Sequence, residues 1–307
     1  MSDRSNPPND AAPAGPPPAV SVIVPHYQDT VRLDRCLTAL TQQTFPAESF
    51  EIIVADNNSP MGLDKVAEAI AGRARLTLVR EKGAGMARNG AVRLARGEIL
   101  AFTDSDCVPE GDWLAEGVKA LPGYDLIGGR MTVLVDDPNA MTPEEAFERV
   151  YAFDNEHYVK NRGFTVTANL FCRRSVFDKV GEFQGADVAE DAEWCLRAKS
   201  MGFRIGYAAK SVVGHPARRT WAELLGKWRR VNTDNFGLAI RARGGRLRWF
   251  LRTFLLPLSA VLHTPQACVS DGVHTLGQRL AAIGVLYRLR FWRIGHSFQL
   301  LLKPGTR

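Results

Sequence analysis

Ile99-Leu100-Ala101-Phe102-Thr103-Asp104-Ser105-Asp106 is the stretch on which the reading of this chain turns. Its first four residues are an unbroken apolar run, which predicts a strand buried on both faces. Two carboxylates then arrive one residue apart, at the junction with a loop that continues Cys107-Val108-Pro109. In an open α/β sheet, ligands bind beyond the carboxyl ends of the strands, so this junction is the expected edge for chemistry. Two Asp side chains this close repel unless something cationic lies between them. Hard divalent cations such as Mg²⁺ take oxygen ligands, commonly one or two carboxylates together with substrate phosphates. Taken alone, an Asp-x-Asp triplet is more often an acidic turn or a helix N-cap. Its surroundings reverse that weighting.

Upstream, Val20-Ser21-Val22-Ile23-Val24 predicts a buried strand that stops at Pro25. Leu33, Leu37 and Leu40 recur at helical spacing, and Glu51–Ala55 predicts a second strand ending at Asp56-Asn57-Asn58-Ser59. A helix over Leu63–Ile70, a strand over Leu76–Val79 and a helix over Gly85–Ala95 complete the run up to Ile99. Alternating strand and helix is the pattern of a mostly parallel sheet with helices on both faces, so the fold class is α/β. Downstream the expected elements are strand at Asp125–Val135, a helix over Pro143–Val159 with Phe147, Val150 and Tyr151 inward, and a strand at Phe164–Phe171. A helix over Ala189–Met201 with Trp194 and Leu196, then a strand at Phe203–Tyr207, follow.

The 307 residues suffice for one large α/β domain with an appendage or for two ordinary domains. A 45% apolar share supports a real core, and 23% charged residues is ordinary for a soluble protein. The net charge of +6 hides an asymmetry: from Arg218 onward there are 16 Lys and Arg against three acids, leaving the first 217 residues at −7. An acidic body with a basic tail implies an anionic surface under the tail, either lipid or nucleic acid. The five cysteines are scattered, with no CxxC pair, which argues against a disulfide framework or zinc site and fits a reducing compartment. Residues 1–19 are polar and Pro/Ala-rich without an apolar h-region, and are expected to form a disordered leader rather than a signal peptide.

In the last ninety residues, Trp221, Leu224, Leu225, Trp228 and Val231 form the stripe of an amphipathic helix, with Lys227, Arg229 and Arg230 largely off it. Trp249–Leu262 is apolar but interrupted by Arg252 and Pro257, and Gly272–Tyr287 includes His274, Gln278 and Arg279. Neither offers the ~20 uninterrupted apolar residues of a spanning helix. A basic, Trp-rich region of this kind reads as lying in a membrane interface; the alternative is a helical lid whose basic residues are merely solvated.

Several shorter features carry candidate chemistry. Gly83-Ala84-Gly85-Met86-Ala87-Arg88-Asn89-Gly90 has glycines at positions one, three and eight, not the one, three and six of a dinucleotide fingerprint. Such a turn can still meet phosphate through backbone N–H groups, with Arg88 adding charge-assisted bonds. Asp56 ends a strand on the same predicted edge as Asp104, where it either caps a helix or accepts from the imide N–H of a uracil-type base. Glu190-Asp191 heads a helix, either as favourably placed acids or as a general base. His215 is a surface imidazole or a nitrogen ligand to a divalent ion.

Taken in order, these pieces resemble family 2 glycosyltransferases with the GT-A fold. The resemblance is carried by Val22-Ile23-Val24-Pro25-His26-Tyr27, Val54-Ala55-Asp56-Asn57-Asn58-Ser59, Ala87-Arg88-Asn89-Gly90 before Ala95-Arg96-Gly97-Glu98, and Phe102-Thr103-Asp104-Ser105-Asp106. Arg173-Arg174-Ser175-Val176-Phe177, Val180-Gly181-Glu182-Phe183, Glu190-Asp191 with Arg197 and Gly202, and His215 extend it over roughly residues 20–216. The resemblance implies that Pro25, Tyr27 and Asp56 hold the nucleotide base with Arg88 beside them, and that Asp104 and Ser105 meet the donor. It implies metal contact at Asp104, Asp106 and His215, with Mg²⁺ or Mn²⁺ as cofactor. Asp191 becomes the catalytic base, and Glu190 and Arg197 belong to the substrate-binding set as supports of the site. Two departures stand out: Gln28 where the family often has Asn, and Gln184-Gly185 in place of an acidic pair after Phe183.

The expected organisation is a leader (1–19), a GT-A domain (20–216) with a nucleotide-binding half (20–108) and an acceptor-binding half (109–216), and a basic tail (217–307). The expected reaction is inverting, metal-dependent transfer of a sugar from a nucleotide-sugar, a UDP-sugar favoured, to a hydroxyl of a glycan or lipid-linked acceptor. A Gln-x-x-Arg-Trp motif of processive synthases does not follow His215, so single addition is expected. The expected place is cytoplasmic, peripheral at the inner face of a membrane through residues 218–307, with no nucleic-acid partner. The rivals are a sugar-nucleotide nucleotidyltransferase, against which the absence of glycines after the first strand counts, and a non-catalytic scaffold.

Overall fold

The computed structural model describes residues 15–185 and 189–302. The expected leader lies outside the described residues as far as residue 14. In chain order the elements are β1 (Val20–His26), α1 (Thr30–Thr41), β2 (Phe50–Asp56), α2 (Leu63–Ile70), β3 (Arg75–Leu78), α3 (Ala84–Leu94) and β4 (Ile99–Phe102). Then come β5 (Val108–Pro109), α4 (Trp113–Ala120), β6 (Leu126–Leu134), α5 (Pro143–Tyr151), the single turn α6 (Asn155–His157), β7 (Leu170–Arg173), α7 (Arg174–Val180), α8 (Glu190–Ser200) and β8 (Ile205–Pro216). Four helices close the chain: α9 (Trp221–Arg241), α10 (Gly245–Phe254), α11 (Leu256–Val269) and α12 (Leu276–Leu302).

The strands form one sheet in the order β3-β2-β1-β4-β7-β6-β8-β5. The first four are mutually parallel, and β7 runs antiparallel to β4. The parallel half is as expected, because Ile52–Ala55 and Leu100–Phe102 are apolar without alternation and are buried. Register brings His26 opposite Asp56 and Ile23 opposite Phe102, so the carboxyl ends of β1, β2 and β4 share one edge. β1 does not stop at Pro25 but continues to His26. Because β4 pairs with β1 only as far as Ile23, the missing N–H of Pro25 breaks no ladder bond on that side.

Two other expectations are corrected. The helix expected over Pro143–Val159 ends at Tyr151, because Phe153 takes a left-handed φ of 56° and Asp154 caps the following turn. The strand expected at Phe164–Phe171 begins only at Leu170, after a 3-10 turn over Thr167–Asn169. In α8, Trp194 is buried while Leu196 is exposed, since it lies off the inward stripe of Ala192, Cys195 and Ala198.

The chain divides into two compact units, described separately. The first comprises residues 15–132, 154–185 and 190–215; the second comprises 133–153, 189 and 216–302. The division therefore differs from the sequence-based scheme: the segment 133–153 groups with the basic tail. In the first unit an aromatic core lies under the end of β4. Phe102 meets Phe183 edge-on at 5.6 Å, Phe177 stacks on Trp194 at 5.7 Å, and Phe183 contacts Trp194 at 5.4 Å. Such pairs add about 0.5–1.5 kcal/mol each beyond area burial.

In the second unit, Phe147 of α5, Leu224 of α9, Ala260 of α11, and Val285, Leu286 and Leu289 of α12 form the core, flanked by Tyr151, Trp221 and Trp228. The guanidinium of Arg288 lies 3.9 Å over the Trp221 ring and that of Arg293 lies 4.8 Å over Trp228. The α9 stripe expected to face lipid is thus the inward face of a helical unit. The spacing correctly marks a face that needs an apolar partner, and that partner is protein. No helix among the described residues is long and apolar enough to cross a membrane.

Candidate active site

Asp104, Ser105 and Asp106 occupy a turn closed by the Cys107 N–H donating to the Asp104 carbonyl at 3.0 Å. Arg88 of α3 is buried to 3% exposure and donates one nitrogen to Asp104 at 2.5 Å. Its other terminal nitrogen donates to Glu190 at the start of α8. The remaining Glu190 oxygen accepts the backbone N–H of Gly85 at 2.9 Å, capping the first turn of α3, where a carboxylate also suits the helix dipole. A side chain at Gly85 has no room: a Cβ there sits 2.8 Å from that Glu190 oxygen and 3.1 Å from Phe183. Two of the backbone N–H groups of this Gly-rich turn are engaged within the protein, that of Gly85 by Glu190 and that of Gly83 by Asn57 at 2.9 Å.

The start of α8 is fixed from below. Trp194 donates its indole N–H to the Gly181 carbonyl at 2.8 Å, and Asn89 exchanges two hydrogen bonds of 2.9 Å with the backbone of Phe183. Asp191 sits half-buried beside Glu190 and accepts the Ala192 N–H at 2.8 Å. Burial pushes its carboxyl up to about 6, against the Ala192 hydrogen bond and the Arg88 charge, with the negative charges of Glu190 and Asp104 adding to the rise. A carboxylate poised this close to neutrality, yet reachable, has the character of a general base.

Across the turn, Asp106 Oδ2 lies 3.5 Å from His215 Nε2, and with Cys107 Sγ these atoms form a set within 4.8 Å of one another. The β5–β8 ladder makes this meeting: Val108 pairs with Gly214, so one step further sets Cys107 opposite His215. Burial, followed by the Asp106 and Asp104 charges, pushes the Cys107 thiol well above its ordinary range. One carboxylate and one imidazole fit Mg²⁺ or Mn²⁺, leaving further positions for phosphate oxygens. Asp104, also expected in the metal set, gives one oxygen to Arg88 and keeps its other oxygen beside this pair.

At the ends of β1 and β2, Asp56 is 1% exposed. One of its oxygens accepts His26 Nδ1 at 2.9 Å and the Ser59 hydroxyl at 2.5 Å, and the other accepts the Ser59 N–H at 2.9 Å. Although burial pushes it upward, the His26 and Ser59 hydrogen bonds hold this carboxyl below the usual range. Asp56 therefore organises the strand ends, and direct contact of its carboxylate with a base would displace one of these bonds. Tyr27 is exposed and Pro25 is buried within β1. Gln28 takes a left-handed φ of 66°, a conformation Asn adopts more easily, so its departure from the family pattern falls where the backbone is strained.

Arg197 is not among the clustered residues. Its guanidinium donates to Glu193 and to the carbonyls of Val180 and Glu182, so it braces the chain leading to Phe183. Sequence reasoning missed the His26–Asp56 pair, for which matched strand ends were a usable signal, and Ser59, whose spacing of three from Asp56 is a local turn signature. It also missed the Glu190–Gly85 cap, for which no local signal exists.

A family model described as Glycosyl transferase family 2 matches residues 21–181. The glycosyltransferase AglE of Haloferax volcanii is 34% identical over 268 residues, covering 85% of this chain and 87% of that protein. The solved mannosyltransferase PcManGT from Pyrobaculum calidifontis, in complex with GDP-Man and Mn²⁺, aligns with a TM-score of 0.62 at 20% identity over 94% of this chain and 88% of that one. S. aureus TarS 1-349 in complex with UDP gives 0.51 at 18% identity over 92% and 89% of the two chains. At these identities the two structures speak for the fold.

Proposed function

The chain belongs to glycosyl transferase family 2, has the GT-A fold and is a glycosyltransferase using nucleotide-sugar donors, and from that premise we propose an inverting, metal-dependent, single-addition transfer to an acceptor hydroxyl. Family membership sets aside the nucleotidyltransferase and scaffold alternatives. The observation that carries the proposal is the Arg88 bridge between Asp104 and Glu190, which holds the raised carboxyl of Asp191 next to the turn bearing Asp106.

The roles follow from the chemistry of each side chain. Tyr27 and the strand ends organised by Asp56 receive the base of the donor. Asp104, fixed by Arg88 through one oxygen, offers the other to the ribose, with Ser105 beside it. A divalent cation, Mg²⁺ or Mn²⁺, held by Asp106 and His215 would supply Lewis-acid neutralisation of charge on the departing diphosphate. Asp191 accepts the proton of the acceptor hydroxyl as that oxygen attacks the anomeric carbon from the face opposite the leaving group. Displacement in one step inverts the anomeric configuration.

UDP-sugars are the favoured donors, and a glycan or lipid-linked acceptor is the proposed partner. The basic residues after Arg218 favour a place at the cytoplasmic face of an anionic membrane. The test is release of nucleoside diphosphate by the purified full chain from a panel of UDP-, GDP- and dTDP-sugars, with Mg²⁺, Mn²⁺ or chelator. Cation-dependent release from one donor class supports the proposal, as does an inverted product anomer by NMR. Undiminished release in chelator removes the metal role, and retention of configuration removes the single displacement.

A further inference from the structure

Helices α10 and α11 have two faces of opposite fate. Trp249, Thr253, Leu256, Ala260 and Ala267 are buried at helical spacing and face their own unit. On the other face Leu251, Phe254, Leu258 and Leu262 stand 55–68% exposed. Phe250 and Phe254 pack edge-to-face at 5.0 Å, and each meets Phe298 of α12 near 6 Å, at 6.1 and 5.9 Å. Exposed apolar residues scattered singly need no explanation, whereas a contiguous row of them marks an interaction surface. Residues 241–269 also contain five arginines, at 241, 243, 246, 248 and 252, and no Asp or Glu. All five are exposed.

We propose that this face of α10–α11 is seated in the surface of an anionic lipid bilayer, with Leu251, Phe254, Leu258 and Leu262 entering the acyl boundary and the arginines meeting lipid phosphates. The proposal rests on the membrane reading of residues 218–307 and names the face that performs it. Three observations select lipid. The α9 stripe, the other apolar face of this region, is used up in the unit's own core. A second copy docked about a two-fold axis would set arginines against arginines with no acid between 241 and 269 to answer them, whereas anionic headgroups are opposite to them in charge. α11 has 14 residues, about 21 Å of helix, and Pro265 lies inside it, so it is too short for the ~30 Å hydrocarbon core and suited to lying along it.

The experiment is co-sedimentation of the full-length protein with phosphatidylcholine vesicles, with and without phosphatidylglycerol, at low and high salt. Wild type is expected to bind only the anionic vesicles and to lose binding as salt rises. Leu251→Glu/Leu258→Glu is expected to partition at least about tenfold more weakly, since two buried apolar contacts are replaced by charges that oppose the headgroups. Val31→Glu, at an exposed apolar position of the catalytic unit, is expected to bind as wild type. Donor turnover in solution, unchanged in both variants, reports that the chain is folded. If wild type binds and the double variant binds equally, this face is wrong while the membrane reading stands. If wild type binds neither vesicle, both fail, and the turnover assay still judges the transferase reading by itself. A concentration-dependent dimer abolished by the double variant would make a second copy the occupant and overturn the proposal.

Discussion

Each compact unit holds a buried charge cluster, and the two are mirror images in sign. In the catalytic unit one sealed cation, Arg88, serves two acids, Asp104 and Glu190, that remain 31% and 25% exposed. In the helical unit one sealed acid, Glu148 at 1% exposure, serves two cations, Arg218 and Lys227. Glu148 is saturated: one oxygen accepts Lys227 at 2.7 Å and Arg218 at 3.1 Å, while the other accepts the Arg218 N–H at 2.8 Å. Burial alone would raise this carboxyl, but Lys227 and Arg218 hold it below the usual range. Burial in turn pushes Lys227 down to about 8, against the attraction of Glu148. The first cluster leaves acidic oxygens facing a reachable space with net negative charge to spare, while the second spends every oxygen on joining α5 to the segment leading into α9. Burial and pairing are therefore common to both, and spare valence separates a site from a staple.

The largest expected effect tests the chemical side of that contrast. Asp191→Asn should lower kcat by about 10²–10⁴-fold with little change in KM, because a base acts in the transition state. Asp106→Ala should abolish transfer to a similar degree, with far-UV circular dichroism unchanged. Near-normal turnover in either purified variant would remove that residue from the mechanism.

Charge removal then separates site from staple. Arg88→Met strands two acids and Glu148→Gln strands two cations, so each should cost about 3 kcal/mol in urea denaturation. Only Arg88→Met should also lose turnover per folded molecule. Equal turnover losses in the two would end the distinction.

The pH profile comes next. If Asp191 must be ionised to act, kcat/KM should fall about tenfold per unit as pH drops below about 6, and Asp191→Asn should lack that limb. A wild-type profile flat down to the ordinary Asp range would remove the raised base.

The smallest effect concerns stability. An acid whose folded-state pKa is raised binds its proton more tightly when folded, so its stabilisation is full below the unfolded value and is lost as pH rises through about 6. At pH 7 ionised Asp191 therefore destabilises the fold, and Asp191→Asn should gain about 1–2 kcal/mol after screening is allowed for. A thermal midpoint at pH 7 lower than wild type would contradict this sign.

Much of the catalytic half was legible beforehand. The limits of β4 and α2 were read directly, because an apolar run and a 3.6-residue stripe are local signals, and the acids at the ends of β2 and β4 came with them. The departures have local causes as well: a left-handed Phe153 ends α5, and a short β4 lets β1 run past Pro25. The long-range contacts were not legible. Glu190 meets Arg88 across 102 positions and Gly85 across 105, and no spacing rule reaches that far. Arg197, named beforehand as a support of the site, does its bracing through the carbonyls of Val180 and Glu182, partners that no motif identifies.

The order of residues alone determined the α/β class, the family, and which carboxylates stand at strand ends or head a helix, since these depend on periodicity and on motifs a few residues long. Tertiary structure alone decided what each apolar stripe touches and which charges are spent. The stripe of α9 and the outer face of α10–α11 look alike as patterns, and only packing buries one and leaves the other bare. A period states that a face must be apolar, and its neighbour in space settles what that face is for.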